Sequence, residues 1–355
     1  LIAYYTWRLV EERDRARVQA EKAARISELL TSVLTSVDPY RTPGATEPTV
    51  RNLLDSAAGR VAAELADQPE LEPEMPTVIG RTYESIGIYD KALPTLEQAL
   101  AISRRAFGQE HVRVAQSLND LGVLYRSTGN EAAAEQVLAE SLAMRRRLLG
   151  SQHPDLAITL VEWARLMRDL GRTGDAETAA REALAIRTAV YGDEHRQTAT
   201  SKRELGLLLW DQSDLAGAEP LLRQNVETSA RQLGADHPNV ASAKASLGAL
   251  LIAKGDYAAG EALLRGTLET RRKIFGGTHE EYGGALVGLA YAVEAQGRLA
   301  EAQALIEQGL GIIAPQLGET HPQVVSATLD LVRVRLTRGE RRGIEPIARG
   351  ALAVR

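Results

Sequence analysis

The chain has 355 residues, more than one compact core of ordinary size holds. Its formal net charge of −5 gives no electrostatic footprint for nucleic acid or an anionic membrane. The absence of cysteine excludes disulfides, thiolate metal sites and a thiol nucleophile. Aromatic residues are only 4%, so any core must be built from Ala, Leu, Val and Ile, of which Ala and Leu are strong helix formers.

The chain starts at Leu1 rather than Met and reads as a segment of a longer protein. Leu1-Ile2-Ala3-Tyr4-Tyr5-Thr6-Trp7 before Arg8 reads either as the interfacial end of a membrane span or as the amphipathic start of a helix. Residues 1–37 form one predicted helix, charged all round at first. Its later part carries an apolar stripe at Ile26, Leu29, Leu30, Val33, Leu34 and Val37. Asp38-Pro39 and Pro43-Gly44 end it, so 1–48 is taken as a juxtamembrane-like helix and linker. A helix from Val50 to Ala66 has Leu53, Leu54, Ala57, Val61 and Leu65 on one face. The segment 49–72 is therefore expected to be an N-terminal cap on the residues from 73 onward.

From residue 73 the chain repeats. All six histidines are 42 residues apart, at 111, 153, 195, 237, 279 and 321. Each lies three residues after a glycine, and Pro154, Pro238 and Pro322 follow three of them. Gly80, Gly122, Ala164, Gly206, Gly248 and Ala290 form a second frame, answered twelve residues later by Ala92, Ala134, Ala176, Ala218, Gly260 and Ala302. Gly87, Gly129, Gly171, Gly255, Gly297 and Gly339 mark a turn between them, with Ser213 the one departure. Facing small residues let two antiparallel helices approach closely, and the intervening glycine supplies a left-handed C-cap. The glycine before each His is expected to end the second helix in the same way, with Pro in the first turn of the next. First helices are expected near 115–128 and 157–170, second helices near 132–149 and 174–191.

Ile79-Gly80 with Tyr83 and Ala92, and Leu121-Gly122 with Tyr125 and Ala134, resemble the tetratricopeptide signature. The 42-residue form looks like the repeats of kinesin light chains, with Ser117-Leu118-Asn119-Asp120-Leu121-Gly122 the nearest match to their Leu-Asn-Asn-Leu-Ala pattern. The resemblance implies an all-α, tetratricopeptide-type α-solenoid, a right-handed superhelix of helical hairpins. Six full units, 73–114, 115–156, 157–198, 199–240, 241–282 and 283–324, and a partial seventh make an array over 73–355. The seventh unit's closing glycine would fall five residues past Arg355, so its last helix is expected to be cut or shortened.

Residues 11–107 are similar to the region after the membrane span in a group of bacterial receptor-like serine/threonine protein kinases. The matching motifs are Ser27-Glu28-Leu29-Leu30, Asp38-Pro39-Tyr40, Thr49-Val50-Arg51-Asn52-Leu53-Leu54-Asp55 and Ala66-Asp67-Gln68-Pro69-Glu70. That likeness implies the sensor or docking region of such a kinase; a stand-alone kinesin-light-chain-like scaffold is the alternative. The kinase domain itself is not expected here, because no His is followed by the Arg-Asp of a catalytic loop. This chain is therefore read as no enzyme.

No metal or cofactor is expected. Equivalent histidines are separated by at least a helix packing distance, about 8–10 Å, and cannot share an ion whose ligands lie at about 2 Å. A backbone-bonding role in the linker between units is the simpler reading. Gly309-Leu310-Gly311-Ile312-Ile313-Ala314 fits a dinucleotide fingerprint but lacks the strand before it. Glu135, Glu177, Glu219 and Glu261 are expected in ion pairs within the array. Arg104-Arg105, Arg145-Arg146-Arg147 and Arg271-Arg272-Lys273 are expected to favour the negative ends of second helices.

The expected partner is a protein or peptide, with no nucleic acid, and with membrane contact only through a span preceding Leu1. In tetratricopeptide arrays ligand contacts come mainly from first helices. Those positions include Arg81, Asn119, Arg126, Arg165, Arg168, Arg203 and Trp210, then Ala245, Ala249, Ile252, Val287 and Tyr291. A groove cationic at first and apolar later suits an extended acidic peptide with an apolar anchor. The competing reading pairs these arginines with Glu84, Asp169, Glu204 and Asp211.

Overall fold

A computed structural model describes residues 74–342 together with 54, 55, 344 and 345. Most of the segments 1–48 and 49–72, and the membrane-edge and kinase-like motifs in them, lie outside the described residues. Among the described residues there are thirteen α-helices and no strand. They fall into two compact units, the first ending at Leu170 and the second beginning at Gly171.

The first unit holds α1 (Glu74–Ser85), α2 (Tyr89–Phe107), α3 (Val112–Ser127), α4 (Glu131–Leu149) and α5 (Pro154–Asp169). Leu54 packs on the core formed by Met75, Ile79, Tyr83, Leu96, Leu121 and Leu124, and the Tyr83 hydroxyl donates to the Asp55 carboxylate. The second unit holds α6 (Thr173–Tyr191), α7 (Arg196–Asp211), α8 (Leu215–Leu233), α9 (Pro238–Ala253), α10 (Tyr257–Phe275), α11 (Glu280–Ala295), α12 (Leu299–Leu317) and α13 (Pro322–Thr337). Leu264, Leu289, Val293, Ile306 and Val334 form a core among its last hairpins. From α3 onward first helices run 16 residues; the second helices run 19.

First helices begin three residues earlier than expected, at Val112 rather than 115 and Pro154 rather than 157. Histidine is the cause. Each imidazole Nδ1 accepts the N–H two residues on, from Arg113, Asp155, Gln197, Asn239, Glu281 and Gln323, at 3.1–3.2 Å. It is thus the N-cap of its own following helix, filling one of the orphan donors there. Phe107, Tyr191 and Phe275 stack on three of these rings at 4.5–4.8 Å between centroids.

Glycine does two different jobs. At the inner turn Gly129 has φ +74° and lies inside a Schellman arrangement, with the Asn130 N–H reaching the Tyr125 carbonyl. At the outer turn Gly150 has φ 79° and ψ 177°, a region open to glycine alone and not the left-handed helical basin expected from the sequence. Ser213 takes the inner-turn role with φ 67°, keeping the Asp214 N–H to Leu209 carbonyl bond.

Close helix contact within hairpins follows the small residues. A Cβ on Gly122 would stand 2.5 Å from Leu138 Cδ2, and one on Gly80 would stand 2.6 Å from Leu96 Cδ2. Both leucines are fully buried, and burying one such side chain contributes about 1.5–3 kcal/mol.

Candidate ligand-binding face

The first helices carry a carboxylate column at the repeat period: Asp120, Glu162 and Glu204, then Ser246, Gly288 and Asp330. Arginines cover the acids. In the first unit Arg81 lies 4.0 Å from Asp120, Arg165 2.8 Å from Glu162, and Arg126 3.2 Å from Asp169. In the second unit Arg203 pairs with Glu204 at 2.6 Å and Arg333 with Asp330 at 3.0 Å. The acid lies beneath and the guanidinium outside: Arg81 is 61% exposed over Asp120 at 3%, and Arg203 32% over Glu204 at 6%. The pairs neutralise one another; over Asp120 and Glu204 the surface presented is guanidinium, whereas Asp169 is more exposed than Arg126.

Of the residues expected at the ligand face, Arg81 is exposed and Arg126, Arg165, Arg168, Arg203 and Trp210 are half-buried. Asn119 does not belong with them. It is 3% exposed, because its position on α3 turns inward. Its neighbour Asp120 accepts from Gln116, and burial raises its carboxyl above the ordinary carboxylate range.

In the second unit the ladder stops at Ser246 and Gly288, where Ala249 and Tyr291 stand at the period of Arg81 and Arg165. A pocket of about 530 Å³ opens there. Trp210 of α7, Ala245, Ala249, Ile252 and Ala253 of α9, and Gly284, Ala285, Gly288 and Tyr291 of α11 line it, with Leu264, Thr267 and Arg271 of α10. The lining is almost wholly apolar. Thr267 Oγ1 donates to the Ala241 carbonyl, and the Tyr291 hydroxyl donates to Asp330 beneath the Arg333 guanidinium. Burial, then that hydrogen bond, pushes the Tyr291 hydroxyl up to about 12. The first-helix residues expected to be apolar thus do line one cavity, whereas Val287 packs toward Ile313 and Val324.

Arg145 and Arg271, expected at helix ends for the dipole, do more. Arg145 donates to the Asp155 carbonyl and the Gln116 amide oxygen, and burial lowers its pKa. Arg187 donates to the Gln197 carbonyl and Arg271 to the Glu281 carbonyl. Each ties a second helix to the first turn of the next helix. Glu177, Glu219 and Glu261 form the expected ion pairs, with Arg181, with Arg223 and Lys254, and with Arg265 and Arg298.

A helical-hairpin array with an apolar pocket on its first helices belongs to the class of repeat proteins that bind other chains. The tetratricopeptide-repeat profile matches residues 75–147, 129–189, 155–227 and 240–314, so this chain belongs to the tetratricopeptide-repeat family. Such proteins are typically interaction scaffolds without catalysis of their own. No curated protein matches the chain. Among solved structures it is similar to BtubC (BKLC) from P. vanneervenii, with 22% identity over 65% of this chain and 92% of that one and a TM-score of 0.55. The apo form of RapI superposes with a TM-score of 0.61 at 12% identity, covering 80% of this chain and 97% of that one. A putative kinesin light chain from Podosopora anserina with nearly identical repeats has 25% identity over 57% of this chain and 95% of that one, at a TM-score of 0.49. Among the described residues no helix is long and apolar enough to cross a membrane.

Proposed function

We propose that the chain is a docking scaffold whose first-helix face binds a protein or peptide ligand that is acidic and carries an apolar anchor. The pocket around Trp210, Ala249 and Tyr291 is the observation that carries this reading. It opens where the ion-pair ladder of the neighbouring repeats is replaced by Ser246, Ala249 and Gly288. In the second unit the Arg203 guanidinium, outward over Glu204, supplies the complement to acidic residues of the ligand, and in the first unit Arg126, Arg165 and Arg168 are the first-helix arginines expected at the ligand face. The test is the affinity of a captured partner for an Arg165→Gln, Arg168→Gln, Arg203→Gln variant. Glutamine is used because glutamate would set like charge on Glu162 and Glu204. Binding should fall roughly tenfold or more, since a charge-assisted hydrogen bond is worth about 1.5–3 kcal/mol. Unchanged affinity in a folded variant would place the ligand elsewhere.

The motifs before the array support docking within a bacterial receptor-like serine/threonine kinase. The second reading, a stand-alone kinesin-light-chain-like scaffold, is favoured by the 42-residue period itself. The gene upstream of Leu1 separates them: a Gly-rich loop and a His-Arg-Asp loop support the first, and their absence supports the second.

A further inference from the structure

The apolar pocket says what conformation of ligand it takes. The polar side chains of Thr267, Arg271 and Tyr291 in its lining are bonded inside the protein: Thr267 to the Ala241 carbonyl, Tyr291 to Asp330, and Arg271 to the Glu281 carbonyl at 3.2 Å and carboxylate at 3.1 Å. The walls are helices, whose backbone groups are bonded to one another. An extended peptide laid here would bring a row of N–H and C=O groups against a lining that is almost wholly apolar and cannot pair them all, which is costly. A helix satisfies its own backbone and presents only side chains.

Two further observations agree. Gly288 lies in the interior of α11, where a Cβ would meet nothing within 4 Å. Glycine at an interior helix position is less favourable than alanine by about 0.5–1 kcal/mol, and no contact within the fold requires it here. A bare backbone next to an open pocket leaves room for a bulky group from outside. Two guanidiniums on helices of the same unit also stand outside their acids. Arg203 on α7 stands out over Glu204, and Arg333 on α13 is 46% exposed over Asp330 at 14%.

We infer that the pocket receives the apolar face of an amphipathic α-helix from a partner protein, a helix with hydrocarbon side chains at i, i+3 or i+4, and i+7 and acidic residues flanking them. This rests on the scaffold reading and adds the partner's conformation and side-chain spacing. Leu, Ile, Val, Met and Phe fit the stripe.

The experiment uses the full chain against a phage-displayed library of random peptides about four helical turns long. Peptides enriched on the parent should show apolar spacing of three and four. They should lose at least tenfold in affinity to Gly288→Leu, and a mid-peptide proline should abolish their binding. Gly288→Leu is the probe, since Gly288 lines the pocket and a Cβ there meets nothing within 4 Å. Enriched peptides with alternating apolar residues, insensitive to proline but sensitive to Gly288→Leu, would overturn the helix and leave the scaffold function standing. No enrichment, or peptides indifferent to both Gly288→Leu and the arginine variant, would overturn both. A parent chain that runs as a dimer while Gly288→Leu runs as a monomer would give the pocket to a second copy and overturn the inference. So would displacement of the selected peptides by a synthetic peptide of residues 22–38.

Discussion

Gly122→Leu and Gly288→Leu are the same substitution in the middle of two first helices, and they should behave in opposite ways. At Gly122 even the first added carbon would stand 2.5 Å from both Cγ and Cδ2 of Leu138, which is itself fully buried and has no solvent to move into. Overpacking of that kind costs about 1–3 kcal/mol, and the upper part of that range applies because the obstacle is a packed side chain on the facing helix. At Gly288 the first added carbon meets nothing within 4 Å and faces the pocket, so the substitution adds helix propensity without that clash. Thermal melting followed by far-ultraviolet circular dichroism is the assay. In a unit of this size about 1 kcal/mol moves the midpoint by roughly 2–4 °C. Gly122→Leu should therefore melt several degrees below the parent, and Gly288→Leu at or above it. A Gly122→Leu chain that melts with the parent would show that α3 and α4 do not touch where the small residues place them.

Other consequences rest on single residues. Ser213→Gly should raise the melting midpoint, because a non-glycine residue in the left-handed region costs about 1–2 kcal/mol and glycine does not. His153→Ala should lose the cap on α5 and about 0.5–2 kcal/mol, whereas His153→Asn, which also accepts at an N-cap, should lose little in the same melt. Glu261 is held down to about 2 from an ordinary 4.5, by the Arg298 hydrogen bond first and then by Gln296 and Arg265 against the cost of burial. A folded pKa below the unfolded one favours folding above about pH 4.5, and that contribution is lost as pH falls toward about 2. Glu261→Gln should flatten the fall in melting midpoint over that window, and an unchanged slope would count against the pairing.

The hairpins were legible because their determinants are local and periodic. A glycine, a histidine and a pair of facing small residues each recur every 42 positions, and each has one backbone use. What the period hid was the kind of use. Histidine looks like a linker residue until its Nδ1 is seen on the N–H two residues on, and that cap moves the helix start by three. Gly150 and Gly129 are indistinguishable as letters, though only Gly150 occupies a conformation closed to every other residue. At the ligand face, first-helix positions such as Ala249 and Tyr291 could be found by register. Leu264, Thr267 and Arg271 could not, since they reach the pocket from a second helix. The arginines were visible, and so were two of their partners, Asp169 and Glu204, but not Asp120, Glu162 and Asp330. Asp120, Glu162, Glu204 and Asp330 share one column, and reading that column would have shown both the ladder and its break at Gly288.

The central claim is that the ligand sits on the first-helix face of the second unit, at the pocket. A photo-crosslinking amino acid placed at Ala249, in the pocket lining, and separately at Glu227, exposed on α8, tests it most directly. The account predicts that a captured partner crosslinks from position 249, that Gly288→Leu abolishes that crosslink, and that position 227 stays silent. A partner that crosslinks from 227 and not from 249 would contradict it.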